Sequence, residues 1–228
     1  ELAMGHMFSC ARYLSIAGHT MREGKWEKKA YKGIELAGRT LGVIGYGRIG
    51  QALGAKAQAL GMKVLAYDIF KAEGLENENM KYVEMDELLA NSDFISVHTP
   101  SIDGKPLINA DTIAKMKDGV VFIDNARGEL MDIDAVTEAV ESGKFGALFM
   151  DAFPGETGII HVPHDEDIIR TPGMPYFKLK YLRSFVNVYH TPHMAFFTEE
   201  AAEQMAECGV NSIYEILTEG KSKHEIPC

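Results

Sequence analysis

Short apolar runs alternate with amphipathic stretches along most of the chain. Runs typical of buried strands occupy residues 41–44, 63–68, 93–98, 119–124 and 145–151. Helix-forming segments separate them, among them residues 51–60, 109–116 and 132–142. Strands that alternate with helical segments indicate a parallel sheet with helices on both faces. The pattern therefore predicts an α/β fold with a doubly wound parallel sheet.

The two ends of the chain depart from this alternation. Residues 1–22 predict a single helix, and residues 154–183 predict a long loop before a last strand at 185–189. Residues 198–219 predict an acidic amphipathic helix. The apolar positions that we expect this helix to bury are Ala202, Met205, Val210, Ile213 and Leu217.

The first predicted strand runs directly into a G-x-G-x-x-G sequence formed by Gly45, Gly47 and Gly50. Gly45 would permit a tight turn, Gly47 would let the backbone approach a pyrophosphate, and Gly50 would let the helix pack close to the strand. The N–H groups of a helix that starts near Arg48 would bind the pyrophosphate. This context predicts a dinucleotide site; the alternative is a glycine-rich turn that serves only helix–sheet packing.

Asp68 ends the second strand, eighteen positions beyond Gly50. A carboxylate at this place accepts hydrogen bonds from the ribose hydroxyls of the adenosine, and its charge repels a 2′-phosphate. Asp68 therefore predicts NAD rather than NADP as the cofactor.

The composition of the chain limits which partners and which compartment we expect. The 228 residues carry a formal net charge of -10 at pH 7 and contain three cysteines, without a C-x-x-C spacing. The acidic charge argues against nucleic acid and anionic membrane surfaces as partners. No apolar run approaches the roughly 20 residues that span a bilayer. The cysteines favour a reduced, cytoplasmic protein.

Three polar residues that follow strands could carry chemistry. Arg127 could hold a substrate carboxylate in a bidentate pair, and His193 could exchange a proton with a carbonyl or hydroxyl group. Glu156 could hydrogen-bond His193 and stabilise its charged form. Each also has a structural alternative: an ion pair for Arg127, an ordinary loop carboxylate for Glu156 and a strand cap for His193.

A metal site is a further alternative in the long loop. His161, His164 and the acidic residues 165–167 lie close together in sequence, but no helix or turn pattern would fix them as ligands. We therefore interpret them as a solvated loop and predict no metal.

Several motifs in order resemble the D-isomer-specific 2-hydroxyacid dehydrogenases, over about residues 2–220. They are the glycine-rich turn and the segments 96–100, 116–119, 125–132 and 191–193. The resemblance implies Arg127, Glu156 and His193 as the catalytic set. It also implies cofactor contacts from Arg48, Ile49, Asp68, Thr99, Pro100, Asn125, Ala126 and Asp151. Gly45, Gly47 and Gly50 of the motif, together with Arg127, complete the predicted cofactor set.

The same resemblance sets the expected organisation and activity. Residues 1–200 would form the NAD-binding Rossmann domain, with its first helix packing in a homodimer, and residues 201–228 would return toward a substrate domain that is largely absent. Residues 165–169 and 194–200 are most similar to the D-lactate dehydrogenase branch. The expected reaction is reduction of a 2-oxo acid, such as pyruvate, by NADH. Lys105 stands where that branch more often has Asn, so we do not assign it to the cofactor. A regulatory NAD(H)-binding module and a fragment without turnover are the alternatives.

Overall fold

The computed structural model describes residues 1–101, 104–156 and 175–224. The sequence-based metal alternative at residues 161–167 lies outside these ranges. The chain divides into two compact units, Glu1–Pro192 and His193–Cys228. Each unit is described separately below.

The first unit is built on a parallel sheet. Its seven strands are β1 (Thr40–Ile44), β2 (Lys63–Tyr67), β3 (Met80–Tyr82), β4 (Phe94–Val97), β5 (Val120–Asp124), β6 (Phe145–Met150) and β7 (Val188–His190). They lie in the order β3-β2-β1-β4-β5-β6-β7, and every pair of neighbours is parallel. The strand order reverses between β1 and β4, which is where ligands bind in such sheets. The predicted doubly wound α/β fold is confirmed.

Alternate side chains of the central strands serve two separate cores. Phe122 of β5 lies in one cluster with Leu88 and Leu148, whereas Ile123 lies in the other with Met7. All five side chains are fully buried. Successive residues of a strand point to opposite faces, so a strand that is apolar throughout requires helices on both sides.

The helices cover both faces of this sheet. They are α1 (Leu2–Arg12), α2 (Leu14–Arg22), α3 (Arg48–Ala59), α4 (Met85–Asn91), α5 (Ala110–Lys115), α6 (Ile133–Glu141) and α7 (Pro175–Leu182). Side chains cap the first turns of two of these helices. Asn109 forms a capping box with Thr112 at the start of α5, and Asp132 accepts N–H bonds at the start of α6.

Three local expectations were wrong. The helix predicted over residues 1–22 is two helices, because Tyr13 adopts the left-handed conformation at φ 56°. The last strand is Val188–His190, rather than residues 185–189. Helix α7 occupies the end of the segment predicted as a loop.

The second unit contains α8, Glu199–Glu219. Thr198 caps its first turn, and Gly220 ends it at φ 75°. The expectation that its apolar positions are buried was wrong: Met205, Val210, Ile213 and Leu217 are all exposed, and Ala202 is half-buried. Within the described part of this unit no element packs over that face. Amphipathic spacing identifies the face, but it does not supply the surface that covers it.

In the part of the chain that the structure describes, no helix has the combination of length and apolar character that a bilayer crossing requires.

Candidate cofactor and active site

The glycine-rich turn lies between the ends of β1, β2 and β4. Gly45 has φ 91°, and its N–H donates to Tyr67 O at 2.8 Å. A Cβ atom at Gly45 would lie 2.7 Å from the His98 carbonyl oxygen. Both the left-handed conformation and the close approach to β4 therefore require glycine here.

Gly47 and Gly50 serve different purposes. A Cβ atom at Gly50 would lie 2.3 Å from Gly45 O and 3.1 Å from Val43 Cγ1, so this glycine permits α3 to pack on β1. A Cβ atom at Gly47 would meet nothing within 4 Å, and Gly47 is exposed. The protein itself therefore does not require glycine at position 47, and the open space lies at the start of α3.

The start of α3 has no side-chain cap. Gly47 is the N-cap residue. Arg48 and Ile49 in the first turn are exposed. An exposed helix N-terminus that has no side-chain cap favours an anionic group such as a pyrophosphate.

Asp68 supports the turn directly. Its Oδ2 accepts the N–H of Tyr46 at 2.7 Å, and its Oδ1 accepts the N–H of Phe70 at 2.9 Å. The carboxylate thus links the end of β2 to the middle residue of the first G-x-G. Asp68 has this backbone role in addition to the predicted ribose contact.

A cavity of about 280 Å³ opens beside this turn. Gly45, Asp68, Thr99 and Pro100 of the predicted cofactor set line it. Residues that we had not assigned complete the wall: Ile44, Tyr67, Ile69, Lys105, Pro106, Leu107 and Leu130. Apolar side chains with one carboxylate at the rim suit an adenosine group.

Lys105 and Ile69 are the informative additions. We had set Lys105 aside because of its residue type, although it follows β4 in the same way as Thr99. Ile69 follows Asp68 directly and is 64% exposed. An isoleucine immediately after the strand-end acid was the signal in the sequence.

The loop after β5 carries Asn125, Ala126 and Arg127. Asp124 Oδ1 accepts the N–H of Ala126 at 2.8 Å, and Arg127 Nη1 donates to Ala126 O at 2.8 Å. The Arg127 side chain is exposed. The Oδ1 atom of Asn125 is buried and has no hydrogen-bond partner among the described residues, so it can accept a bond from a ligand.

This loop packs against the loop that follows β6. A Cβ atom at Gly128 would lie 2.2 Å from the carbonyl carbon of Phe153 and 2.4 Å from Pro154 N. Glu156 belongs to that second loop: its Oε2 accepts the N–H of Phe153 at 3.1 Å, and its own N–H donates to Phe153 O at 3.0 Å. Gly128 thus allows the backbones on which Arg127 and Glu156 are carried to meet.

Asp151 lies at the end of β6 and is almost fully buried. Its Oδ1 accepts the hydroxyl of Thr191 at 2.5 Å. Burial and the nearby positive charge of Arg183 lower the pKa of His190, the last residue of β7, while the carboxylates of Asp151 and Glu156 act in the opposite direction. The imidazole of His190 at the end of β7 therefore lies near the carboxylates of Asp151 and Glu156.

His193 belongs to the second unit and is described within it. Its backbone is left-handed at φ 51°, and its ring meets the Phe196 ring edge-to-face, with the centroids 6.0 Å apart. Left-handed backbone is uncommon for a residue other than glycine, and such conformations concentrate at functional sites.

His98, by contrast with His193, has a structural role. Its Nε2 is 2.9 Å from Ser96 Oγ, and burial lowers its pKa to about 4. It is therefore neutral near pH 7 and supports the end of β4. Among the described residues, no group of His, Cys, Asp and Glu side chains could hold a metal ion.

The family model of the NAD-binding domain of D-isomer-specific 2-hydroxyacid dehydrogenases matches residues 4–195. The chain belongs to the D-isomer-specific 2-hydroxyacid dehydrogenase family. The resemblance expected from the motifs is confirmed, and NAD is the cofactor of this domain.

Relatives within this dehydrogenase family carry different names. A hydroxypyruvate reductase of Thermotoga maritima is 42% identical over 96% of this chain and 65% of its own length. A D-lactate dehydrogenase of Curvularia clavata is 34% identical over 93% of the chain and 60% of its own length. The solved D-lactate dehydrogenase of Aquifex aeolicus, complexed with NAD and lactic acid, superposes with a TM-score of 0.85 at 31% identity, over 99% of this chain and 69% of that one. The chain thus spans about two thirds of the length of these relatives.

The described residues fit the NAD that a 2-hydroxyacid dehydrogenase requires. The open space at Gly47, the uncapped start of α3 and the cavity beside Asp68 suit its pyrophosphate and adenosine parts. The buried acceptor of Asn125 lies farther along the same edge of the sheet, after β5. All of these features lie within residues 1–192.

Proposed function

We propose that the protein carrying this chain is an NAD-dependent dehydrogenase that reduces a 2-oxo acid to the D-2-hydroxy acid. The observation that carries the proposal is the packing of the Arg127 loop on the Glu156 loop at Gly128, along the edge of an NAD-binding sheet. This packing brings the backbones that carry a cation and a carboxylate together where the family's ligand binds.

Each proposed catalytic residue has a distinct task. Arg127 binds the substrate carboxylate and polarises the carbonyl, because a guanidinium is suited to bidentate recognition. His193 gives its proton to the substrate oxygen. Glu156 supports His193 in this reaction, as the resemblance to the family implies. The bound cofactor supplies the hydride.

The substrate proposal is a small 2-oxo acid, with pyruvate and hydroxypyruvate as the two candidates. The name of the Curvularia relative favours the first, and that of the Thermotoga relative favours the second. The two acids differ by one hydroxyl group. A site that hydrogen-bonds this hydroxyl would discriminate strongly against pyruvate, whereas an apolar site would discriminate weakly.

The test is a steady-state assay of the complete protein with NADH and each acid in turn. We expect turnover with at least one of them and formation of the D enantiomer. Binding of NADH without turnover of any 2-oxo acid would contradict the proposal and favour the regulatory module. The product enantiomer is read by chiral chromatography.

We also propose a homodimer and a cytoplasmic location. The exposed side chains of Phe8, Leu14, Met21 and Trp26 on and after the first two helices support the dimer, since they form apolar surface. A monomer in light scattering would contradict it. Cys10 and Cys208 are both free, which supports a reducing compartment. Fractionation of cells that express the tagged protein would test the location.

A further inference from the structure

Tyr82 is the last residue of β3, at the edge of the sheet. Its backbone pairs with Ala66 of β2. Its side chain is half-buried and packs against the apolar cluster that contains Tyr46. From this position Tyr82 contacts two separate parts of the proposed NAD site.

The first contact is with the glycine-rich turn. The rings of Tyr82 and Tyr46 meet edge-to-face, with their centroids 5.7 Å apart and an angle of 84° between their planes. Tyr46 is the middle residue of the first G-x-G and is only 4% exposed. A Cβ atom at Gly54 would lie 2.3 Å from Tyr46 Oη, so the ring lies directly against α3. The side chain of the turn is therefore held between α3 and Tyr82.

The second contact is with the segment that follows β2, residues 68–72. The Tyr82 hydroxyl accepts the N–H of Ala72 at 3.3 Å. Asp68 and Ile69, at the beginning of this segment, line the cavity that suits the adenosine group. Tyr82 therefore holds the far end of the segment whose near end forms a wall of the cavity.

This segment is open to solvent, so packing does little to fix it. Ile69 and Phe70 are 64% and 81% exposed. Lys71 pairs with Glu84 at 3.4 Å, but both side chains are exposed, and such ion pairs contribute little. Segments with few buried contacts depend on their hydrogen bonds to the ordered sheet. The bond from Tyr82 is one of these.

We propose that Tyr82 is a positioning residue for the adenosine half of the cofactor. Its ring supports the Tyr46 side of the glycine-rich turn, and its hydroxyl supports the segment that carries Asp68. One side chain thus sets the distance between the backbone that receives the pyrophosphate and the wall that receives the adenosine. The loops after β5 and β6 lie on the other side of β1, so Tyr82 has no part in the chemical step. This inference rests on the proposed dehydrogenase function, whose cofactor site it refines.

The first test is calorimetric titration of the complete protein with ADP-ribose, which has the adenosine and pyrophosphate of NAD but no nicotinamide. Tyr82→Phe keeps the ring and loses the acceptor for the Ala72 N–H. The dissociation constant should therefore rise about two- to fivefold with little change in Tm. The KM for NADH should rise by the same factor while kcat stays unchanged. A role in stability alone would lower the Tm and leave the dissociation constant as it is.

Tyr181→Phe is the matched control. Tyr181 of α7 is an exposed tyrosine whose hydroxyl donates to Glu141 Oε1 at 2.5 Å, so this variant also loses one hydroxyl bond. It should keep the wild-type affinity for ADP-ribose. An unchanged dissociation constant in Tyr82→Phe, or an equal loss in Tyr181→Phe, would overturn the inference and leave the dehydrogenase function intact. The expected loss in Tyr82→Phe, without turnover of any 2-oxo acid by the wild type, would contradict the proposed function instead.

A double-mutant cycle tests the ring contact separately. Tyr46→Leu and Tyr82→Leu each remove one ring of the pair. If the rings act on ADP-ribose binding through their contact, the double variant should weaken binding less than the product of the two single effects, by a factor of at least about two. Single effects that simply multiply would show that the turn and the segment are positioned independently, which would contradict the proposal. If a leucine variant does not fold, Tyr82→Phe still decides the proposal.

Discussion

The proposed adenosine side and the proposed catalytic side of this molecule are built differently. The first is local: β1, the glycine-rich turn, α3 and β2 follow one another, and Asp68 closes the unit by binding the Tyr46 N–H. The second is proposed to use Arg127 and Glu156, from the loops that follow β5 and β6. Its proposed proton donor, His193, belongs to the other unit of the chain. Local backbone conformation defines the first side, and contact between two loops that are distant in sequence defines the second.

Because of this difference, we expect that substitutions can lower turnover without weakening NADH binding, and the reverse. The largest effect is expected on the catalytic side, from His193→Ala in the complete protein. Loss of the proton donor should lower turnover about 10²- to 10⁴-fold, while the dissociation constant for NADH changes little. Stopped-flow turnover and fluorescence titration measure the two quantities.

His224→Ala is the matched control for that substitution, because His224 is an exposed histidine of the same unit. It should retain full turnover. If His193→Ala keeps nearly wild-type turnover, or if it loses NADH binding in parallel, the separation of the two sides is wrong.

On the adenosine side, the two glycines that flank the start of α3 should respond in opposite ways. Gly47→Val puts its side chain into space that is open in the protein, so NADH affinity should fall at least about tenfold with little change in Tm. Gly50→Ala places a Cβ 2.3 Å from Gly45 O, so it should lower the Tm by several degrees. Comparable changes in Tm for both variants would contradict the assignment of Gly47 to the ligand.

Lys105 should show the smallest effect. Its side chain lines the cavity but is exposed, so solvent screens its charge. Lys105→Ala should weaken NADH binding by about two- to fivefold at low salt, and the difference should shrink as salt is added. Lys178→Ala, at a half-exposed lysine that pairs with Asp134, provides the control. If Lys105→Ala weakens NADH binding more than Gly47→Val does, the predicted order of the effects is wrong.

The same contrast explains how far the sequence could be interpreted. The βαβ unit was predicted correctly because its signals are local: an apolar run, glycines at fixed spacing and an acid at the next strand end. The strand β3 was missed because it has only three residues, and α7 was missed because its segment, Pro175–Leu182, mixes apolar and basic residues without a clear period. The boundaries of two elements were predicted wrongly: the helix predicted over residues 1–22 is interrupted at Tyr13, and β7 begins at Val188 rather than at residue 185.

The catalytic side was harder to interpret for a physical reason. Arg127 and Glu156 could be selected because each follows a strand, but the contact between their loops depends on Gly128, and no local pattern predicts it. Lys105 was set aside by residue type, although its place after β4 was informative. Which side chain protonates the substrate remains a proposal that depends on the resemblance.

The central claim is that the first unit binds NAD and that its preference for NAD over NADP depends on Asp68. The most direct test is fluorescence titration of the 228-residue chain with NADH and with NADPH, for the wild type and Asp68→Asn. We predict saturable binding of NADH that is at least about tenfold tighter than binding of NADPH in the wild type, and a much smaller preference in the variant, because the charge that repels the 2′-phosphate is gone. Equal affinity of the wild type for the two cofactors, or an unchanged preference in Asp68→Asn, would contradict the claim.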